Sequence, residues 1–454
     1  MKLVNKHSHK GGILMSSLSE LQLKSNSKIK INFNGGDLSS DSGLLLIKEF
    51  AHKIGLNKLI NKTFKTNDTS KDRFHKDDEN LRQMIYQILA GYFNDNDADE
   101  LTDEPIFKRI LEKPSLASQP TLSRFFNRMD EDTLKQFNEI CKKLRALVYK
   151  IESPEMVLLD LDSTLLNTYG KQEGEGFNYH YSSHGYHPLL CYDGLTGDLL
   201  KAELRDGTVY TSNGVVEFMQ PLLDEYFQDY EDISLYLRGD SGFATPDLFK
   251  QCECNGVSYA IRLKANQNLY KLASHAEYKM AELTEKNLVD YAVVYDEFFY
   301  QASSWDYPRR VVVKVEKPAN QLTYQYSFIV TNMDLIPEEI LKYYCNRGTM
   351  ENFIKECKNG FDFSSTGSRS KIVNANRLQL HVLTYNLFNY FRRIVLPESM
   401  RKMQIDTIRL KLIKIASKVI KSARYIYFKL CSSCPYQNEF YKVVENIRLL
   451  PQLE

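Results

Sequence analysis

The sequence predicts an α/β protein: a mixed β-sheet flanked by helices, with a helical region before it and further helices after it. Three observations predict this. Apolar residues keep helical spacing from residue 29 to about 150. Past Ser153-Pro154 the period switches to that of strands. From there the order runs hairpin strands, helix, strand, helix, strand, which suits a mixed sheet covered by helices.

Composition narrows the class. A chain of 454 residues can hold about two to four domains with sizeable cores. A hydrophobic fraction of 43% and a charged fraction of 26% are those of a soluble globular protein. The net charge is +1, so a nucleic-acid footprint must be local. No apolar run reaches transmembrane length, and the start MKLVNKHSHKGG lacks the apolar core of a signal peptide. No membrane partner and a cytoplasmic location are therefore expected. The 8 cysteines have no regular spacing, which suggests reduced thiols. Cys431 and Cys434 form a CxxC, and Cys252 and Cys254 a CxC. A structural zinc site usually needs four ligands in paired spacing, so packing thiols are the simpler reading. His180, His184 and His187 lie close in sequence and could share a site, although local polar contacts would explain them too.

The elements follow in order. Residues 1–28 form a loose basic tail carrying Lys2, Lys6, Lys10, Lys24 and Lys28. In the helical region 29–150, Leu44, Ile47, Phe50, Ala51 and Ile54 share one stripe, and Leu81, Met84, Ile85, Ile88 and Leu89 another. From Ser115 to Met129 a polar turn leads through Pro120 into a helix carrying Arg124, Asn127 and Arg128, the pattern of a helix-turn-helix recognition helix. Leu134, Phe137, Cys141, Leu144 and Val148 mark one more amphipathic helix.

The first part of the sheet core spans 151–263. It opens with the strand Met156 to Asp162, continues with two strands around the turn Gly194 to Gly197, and adds the strands Asp232 to Asp240 and Val257 to Leu263. Residues 264–325 read as a β-rich insertion, from YAVVYDEFFY and RRVVVKVEK. The core resumes over 326–395 with SFIVTNM and two helices. Residues 396–454 form a basic helical region. Between 401 and 430, nine Lys and Arg face only Asp406, and a helix from Arg401 to about Lys421 could touch a DNA backbone.

The stretch YYCNRGTMENFIKECKNG, Tyr343 to Gly360, reads as one helix, with Pro337 in its first turn and Gly360 as its stop. At about 100° per residue, Tyr344, Arg347, Glu351, Lys355 and Lys358 share a face. An ordinary i,i+4 ion pair on a solvated face would look the same. Two carboxylates elsewhere weigh against that. Asp162 ends the first core strand, and Asp240 ends a later one. Two strand ends and a neighbouring helix can bring Asp162, Asp240 and Glu351 to one edge of a sheet. Such a cluster repels itself unless divalent cations fill it. Hard oxygen ligands suit Mg²⁺ or Mn²⁺, and two such ions can drive phosphodiester chemistry.

Tyr344-x2-Arg347-x3-Glu351-x6-Lys358, with LDLDST and LRGDSGFA, carries a resemblance. Over about residues 29 to 430 the chain resembles the DDE transposases of bacterial insertion sequences, in the cut-and-paste branch with the Y-R-E-K signature. That resemblance implies a ribonuclease H-like catalytic core, a DNA-binding role for the helical region including Arg124 and Arg128, and a catalytic, metal-binding triad of Asp162, Asp240 and Glu351. Asp160, two residues earlier on the same face, could act from behind Asp162. Tyr344, Arg347 and Lys358 match residues that grip DNA phosphates. Trp305, the only tryptophan, falls in the insertion, where relatives that form a DNA hairpin stack a tryptophan on a flipped base; a lone core tryptophan would explain it equally well. The resemblance further implies two Mg²⁺ per site, replaceable by Mn²⁺. The partners would be double-stranded DNA, as terminal inverted repeats and target, and a second copy of the chain once DNA is bound. No small-molecule substrate is expected. Two rivals remain: a ribonuclease H-like nuclease that cuts without joining, and a decayed transposase that only binds DNA.

Overall fold

The computed structural model describes residues 21–70, 72–287, 291–321 and 323–453. Lys2, Lys6 and Lys10 of the basic tail lie outside the described residues. Inside them, Leu21–Gln22 pairs antiparallel with Lys30–Ile31.

The chain first builds a helical layer: α1 (Leu44–Lys53), α2 (Leu56–Thr63), α3 (Asp77–Ala90), α4 (Gln119–Phe126) and α5 (Glu131–Tyr149). Their starts follow local chemistry. At α5, the Asp130 carboxylate accepts from the backbone N–H of Asp132 and Thr133, and the Thr133 hydroxyl accepts from the Asp130 N–H. This satisfies donors that a helix start leaves open.

The sheet strands are β1 (Met156–Ser163), β2 (Leu189–Asp193), β3 (Leu199–Glu203), β4 (Ser234–Gly239), β5 (Ser258–Leu263), β6 (Ala292–Tyr300), β7 (Arg309–Lys317) and β8 (Gln325–Thr331). They lie in the order β6-β7-β8-β5-β4-β1-β2-β3. β4 runs parallel to β1 and β5, while the other pairs are antiparallel, so the sheet is mixed. Between strands come α6 (Val215–Asp229), α7 (Pro246–Cys254) and α8 (Ser274–Asn287). After the sheet come α9 (Pro337–Cys345), α10 (Gly348–Phe361) and α11 (Lys371–Val395). The hairpin β9 (Ser417–Lys421) with β10 (Ile426–Leu430) follows, and then α12 (Gln437–Leu449).

The sheet separates two cores, one on each face. Val157, Leu159 and Leu161 pack with α6, α7 and β4 residues on one face. Leu190, Tyr192 and Leu199 of the neighbouring strands face a larger core on the other side. That larger core joins α1–α5 to α10–α12 without a break. Phe50 of α1 meets Phe391 of α11 edge to face at 5.6 Å, and the Thr133 hydroxyl donates to Asn376 Oδ1 at 2.8 Å. The helices before and after the sheet therefore make one layer.

Helix α11 also closes an edge of the sheet. Asn386 bonds both the N–H and the carbonyl of Leu199, at 2.9 and 2.8 Å, and Gln379 Nε2 donates to the Ala202 carbonyl at 2.7 Å. These carboxamides satisfy the backbone of β3, which has no further strand beside it among the described residues.

Three expectations change. The insertion is helical in its first half, where Ala276 and Met280 are buried four residues apart on α8; its strands β6 and β7 extend the main sheet through β8. The supposed single helix over Tyr343 to Gly360 is two helices, broken at Asn346 and Arg347 just before Gly348, a poor helix former. Gly360 is not its stop. Asp362, with φ 50°, ends α10, and Gly360 sits where a Cβ would meet Ile405 Cγ2 at 2.2 Å. Finally, no helix covers Arg401 to Lys421. Short helical turns give way to β9 and β10, whose residues Ser417 to Lys421 alternate buried and exposed with Val419 inward. Counting charge along that stretch hid its two-residue period.

Candidate active site

β1 and β4 are parallel neighbours, with Arg238 opposite Asp160. Two residues further along each strand, the same register brings Asp162 and Asp240 to the same edge. Asp160 and Asp162 point to one face, but their surroundings differ. Asp160 is fully buried and takes two bonds from Arg238, at 2.7 and 2.6 Å. Arg238 spends its remaining reach on the carbonyl of Tyr343, at 2.7 Å, with the Tyr343 ring 5.3 Å away. The pair thus ties the sheet to the end of α9. Arg238 was not singled out from sequence; only its register against Asp160 reveals it.

Asp162 is left nearer the surface. Its Oδ1 accepts the Ser163 N–H at 2.9 Å, and Arg347 Nη2 stands 3.4 Å from its Oδ2. Burial lifts its carboxyl above the usual carboxylate range; Arg347 and the Ser163 N–H pull it down, and the charges of Asp240 and Glu351 push it up. Asp240 caps the short turn Ser241–Phe243, its Oδ1 accepting from the Gly242 N–H at 2.8 Å. Glu351 lies in the first turn of α10, with its carboxylate 3.8 Å from Lys355 and 66% exposed.

Asp162 therefore feels the charges of the other two carboxylates at this edge. Their oxygens are the hard donors that Mg²⁺ prefers. Among the described residues, however, no three His, Cys, Asp or Glu side chains are gathered closely enough to hold an ion. Glu351 points into solvent, so gathering them requires its side chain to turn inward.

The stripe residues converge here too. Arg347 Nη2 donates to the Leu161 carbonyl at 2.9 Å, and Lys358 Nζ to the Leu165 carbonyl at 2.8 Å. These carbonyls flank Asp162 in the chain. Burial pushes the Lys358 ammonium down, against the pull of Asp162. For Arg347, burial is outweighed by Asp162, Tyr344 and Asp240, and its guanidinium is held above its ordinary value. Tyr344 is half-buried, and its phenol is raised by burial, with Arg347 and Arg262 opposing and Asp240 adding to the rise. Tyr181, missed from sequence, donates its hydroxyl to the Ser163 carbonyl at 3.2 Å; burial, then Asp162 and Asp240, push it up to about 12.

The other sequence candidates lie apart. Trp305 is 7% exposed in the loop between β6 and β7, edge-on to Phe249 and Tyr300 at 5.3 Å each, with the Arg309 guanidinium 5.6 Å from its ring. Its ring is covered and offers no face to a base. Arg128 lies just past the end of α4 and is spent on the fold: it donates to Thr66 Oγ1 at 3.1 Å and to Asp77 at 2.8 Å. Arg124, on α4, is exposed. In the basic C-terminal stretch, Lys414 pairs with buried Asp41 at 2.6 Å, while Lys418, Lys421, Arg424 and Lys429 remain exposed. All eight cysteines are free thiols, and Cys431 and Cys434 belong to no metal cluster among the described residues.

No curated protein matches the chain. A solved cryo-EM structure of a piggyBac transposase synaptic complex with hairpin DNA is similar at 14% identity, with a TM-score of 0.39, over 82% of this chain and 80% of that one. The family described as "Transposase DDE domain group 1" matches residues 21–452, which include every carboxylate and stripe residue above. The chain belongs to the DDE transposase domain family.

Proposed function

We propose that the protein is the cut-and-paste transposase of a bacterial insertion sequence, with a ribonuclease H-like core and the Y-R-E-K arrangement. It binds the terminal inverted repeats of its element as a dimer, cuts the DNA at their ends and joins the freed ends to target DNA. The observation that carries this reading is the convergence of Tyr344, Arg347 and Lys358 on the strand end where Asp162 and Asp240 meet, with Glu351 in charge range. The mixed sheet with helices on both faces supports the core assignment.

Asp162, Asp240 and Glu351 would hold two Mg²⁺, or Mn²⁺ in their place. Such ions supply charge stabilisation and an activated oxygen for phosphodiester cleavage. The chain's own residues position the DNA. Arg347 presents a planar fork suited to two phosphate oxygens, and Lys358 a point charge. Both now bond carbonyls that a phosphate would replace. Arg124 is exposed on α4, which supports a part in reading repeat DNA. Lys418, Lys421 and Lys429 add sequence-independent charge.

The test is a time course on labelled repeat-end DNA with and without Mg²⁺. Asp162→Asn, Asp240→Asn and Glu351→Gln should each abolish cleavage and keep repeat binding. Cleavage without any divalent cation, or full activity in Asp162→Asn, contradicts the proposal.

A further inference from the structure

Between β1 and β2 the chain builds a second, small antiparallel sheet from Leu166–Asn167, Ser183–Tyr186 and Gly176–Asn178, with Ser183–Tyr186 in the middle. Its backbones approach closely. A Cβ on Gly185 would stand 2.2 Å from the Leu166 carbonyl oxygen, and one on Gly207 2.0 Å from that of Gly185. Buried Asn178 fixes the following turn: its Nδ2 donates to the Gly207 carbonyl at 3.1 Å, and its Oδ1 accepts the His180 N–H at 3.1 Å.

This firm base holds aromatic rings in solvent. Tyr169 and Tyr179 are each 88% exposed, Tyr181 39% and Phe177 38%. Phe177 lies against Tyr179 at 5.2 Å and against His184, its cross-strand partner, at 5.3 Å. Tyr181 lies against His180 at 4.7 Å and buried His187 at 6.0 Å. Single exposed rings are ordinary, but two touching groups on one small sheet, Phe177 with Tyr179 and Tyr181 with His180, with exposed Tyr169 on the same segment, mark a contact surface. This set begins beside the carboxylate edge, because the Tyr181 hydroxyl bonds the carbonyl of the residue after Asp162.

We propose that this small sheet is a stacking surface for unpaired nucleotides of the DNA strand whose phosphate lies at Asp162. The proposal rests on the transposase reading. A strand engaged at Asp162 has its neighbouring nucleotides within reach of Tyr181, and bases of any sequence can stack on such rings. Lys171 and His180, both exposed, supply donors for the strand's phosphates, and the Glu175 carboxylate is engaged by His184 at 2.9 Å.

The experiment uses the full chain and the double variant Tyr169→Ala/Tyr179→Ala, whose wild-type side chains pack too little to support the fold. Binding of labelled oligothymidine is compared with binding of a fully paired duplex of the same length, without metal. The variant should lose about tenfold or more on oligothymidine and less than about twofold on the duplex. Equal losses on both probes, or none, overturn the proposal. Unchanged oligothymidine binding with a shift in oligomeric state overturns it too, and gives the surface to a second copy of the chain. Repeat-end cleavage by the wild type is read separately. If wild type cleaves in Mg²⁺ and the variant binds oligothymidine normally, only the stacking surface fails. If wild type never cleaves, the transposase reading fails, and the two binding ratios still decide whether the rings hold single strands.

Discussion

Asp160 and Asp162 stand two residues apart on one strand and face the same way, yet their removal should have opposite consequences. Asp160→Asn leaves the Arg238 guanidinium charged and unpaired at 2% exposure. Breaking a buried pair from one side costs about 3–5 kcal/mol, so denaturant unfolding should show a loss of that order. Asp162→Asn removes a charge that burial and two like charges already oppose. Its unfolding free energy should stay within about 1 kcal/mol of wild type, because sites built for function are not built for stability. Trp305→Ala should cost about 3–5 kcal/mol in the same assay, the usual range for emptying an aromatic core position. Alternation alone put both aspartates on one face in the sequence. What separates them is Arg238 on the adjacent strand, and strand register is not written in either segment by itself. Trp305 was misleading for a similar reason. Its position in the insertion suggested a free ring, whereas its partners Phe249 and Arg309 come from outside its own loop.

Helix and strand positions were legible where one period ran long enough, as in α1, α3, α5 and β1. They failed where a short polar break or a change of period intervened. The Tyr344 to Lys358 stripe read as one face of one helix, and the side chains do converge. They do so from two helices, with Arg347 at the join. Gly360 looked like a stop signal because glycine is common there; its actual task is to let α10 approach Ile405. Gly360→Ala should therefore destabilise by about 1–3 kcal/mol, as overpacked sites do, rather than gain the roughly 1 kcal/mol that alanine brings at an open helix position. A thermal melt checks this. In the β9–β10 hairpin, Lys418 sits directly opposite Lys429, and both are exposed. Like charges in cross-strand pairs are unfavourable unless an anion lies between them. Lys418→Gln with Lys429→Gln should lower affinity for repeat and random DNA alike and reduce the slope of log K against log salt by roughly two. A change in the ratio of repeat to random affinity would instead give the hairpin a part in sequence recognition.

For the molecule as a whole, the division near residue 150 was legible as a change of period but not as a boundary between bodies. The helices on either side of the sheet segment share a core that neither sequence half can announce alone. Acid should strengthen one joint of this assembly. Asp193, 2% exposed where β2 turns toward β3, accepts bonds from the Leu158 and Leu195 N–H groups and from Thr196, yet burial lifts its carboxyl to about 6. Its folded value lies above the unfolded value of about 3.9, so its contribution is fully present below about pH 4 and lost as pH rises through about 6. The difference in unfolding free energy between wild type and Asp193→Asn should therefore shift against wild type by roughly 2 kcal/mol from about pH 4 to pH 7. The carboxamides of α11 on the last strand have a wider effect. With Leu199 and Ala202 already engaged, the sheet is a ribbon with one finished end, and among the described residues no strand lies beyond β6 at the other. Everything added between β5 and β8 has accrued at that other end, away from the seam where Asp162 and Asp240 meet. A change of length there would leave the spacing of the carboxylates under separate control.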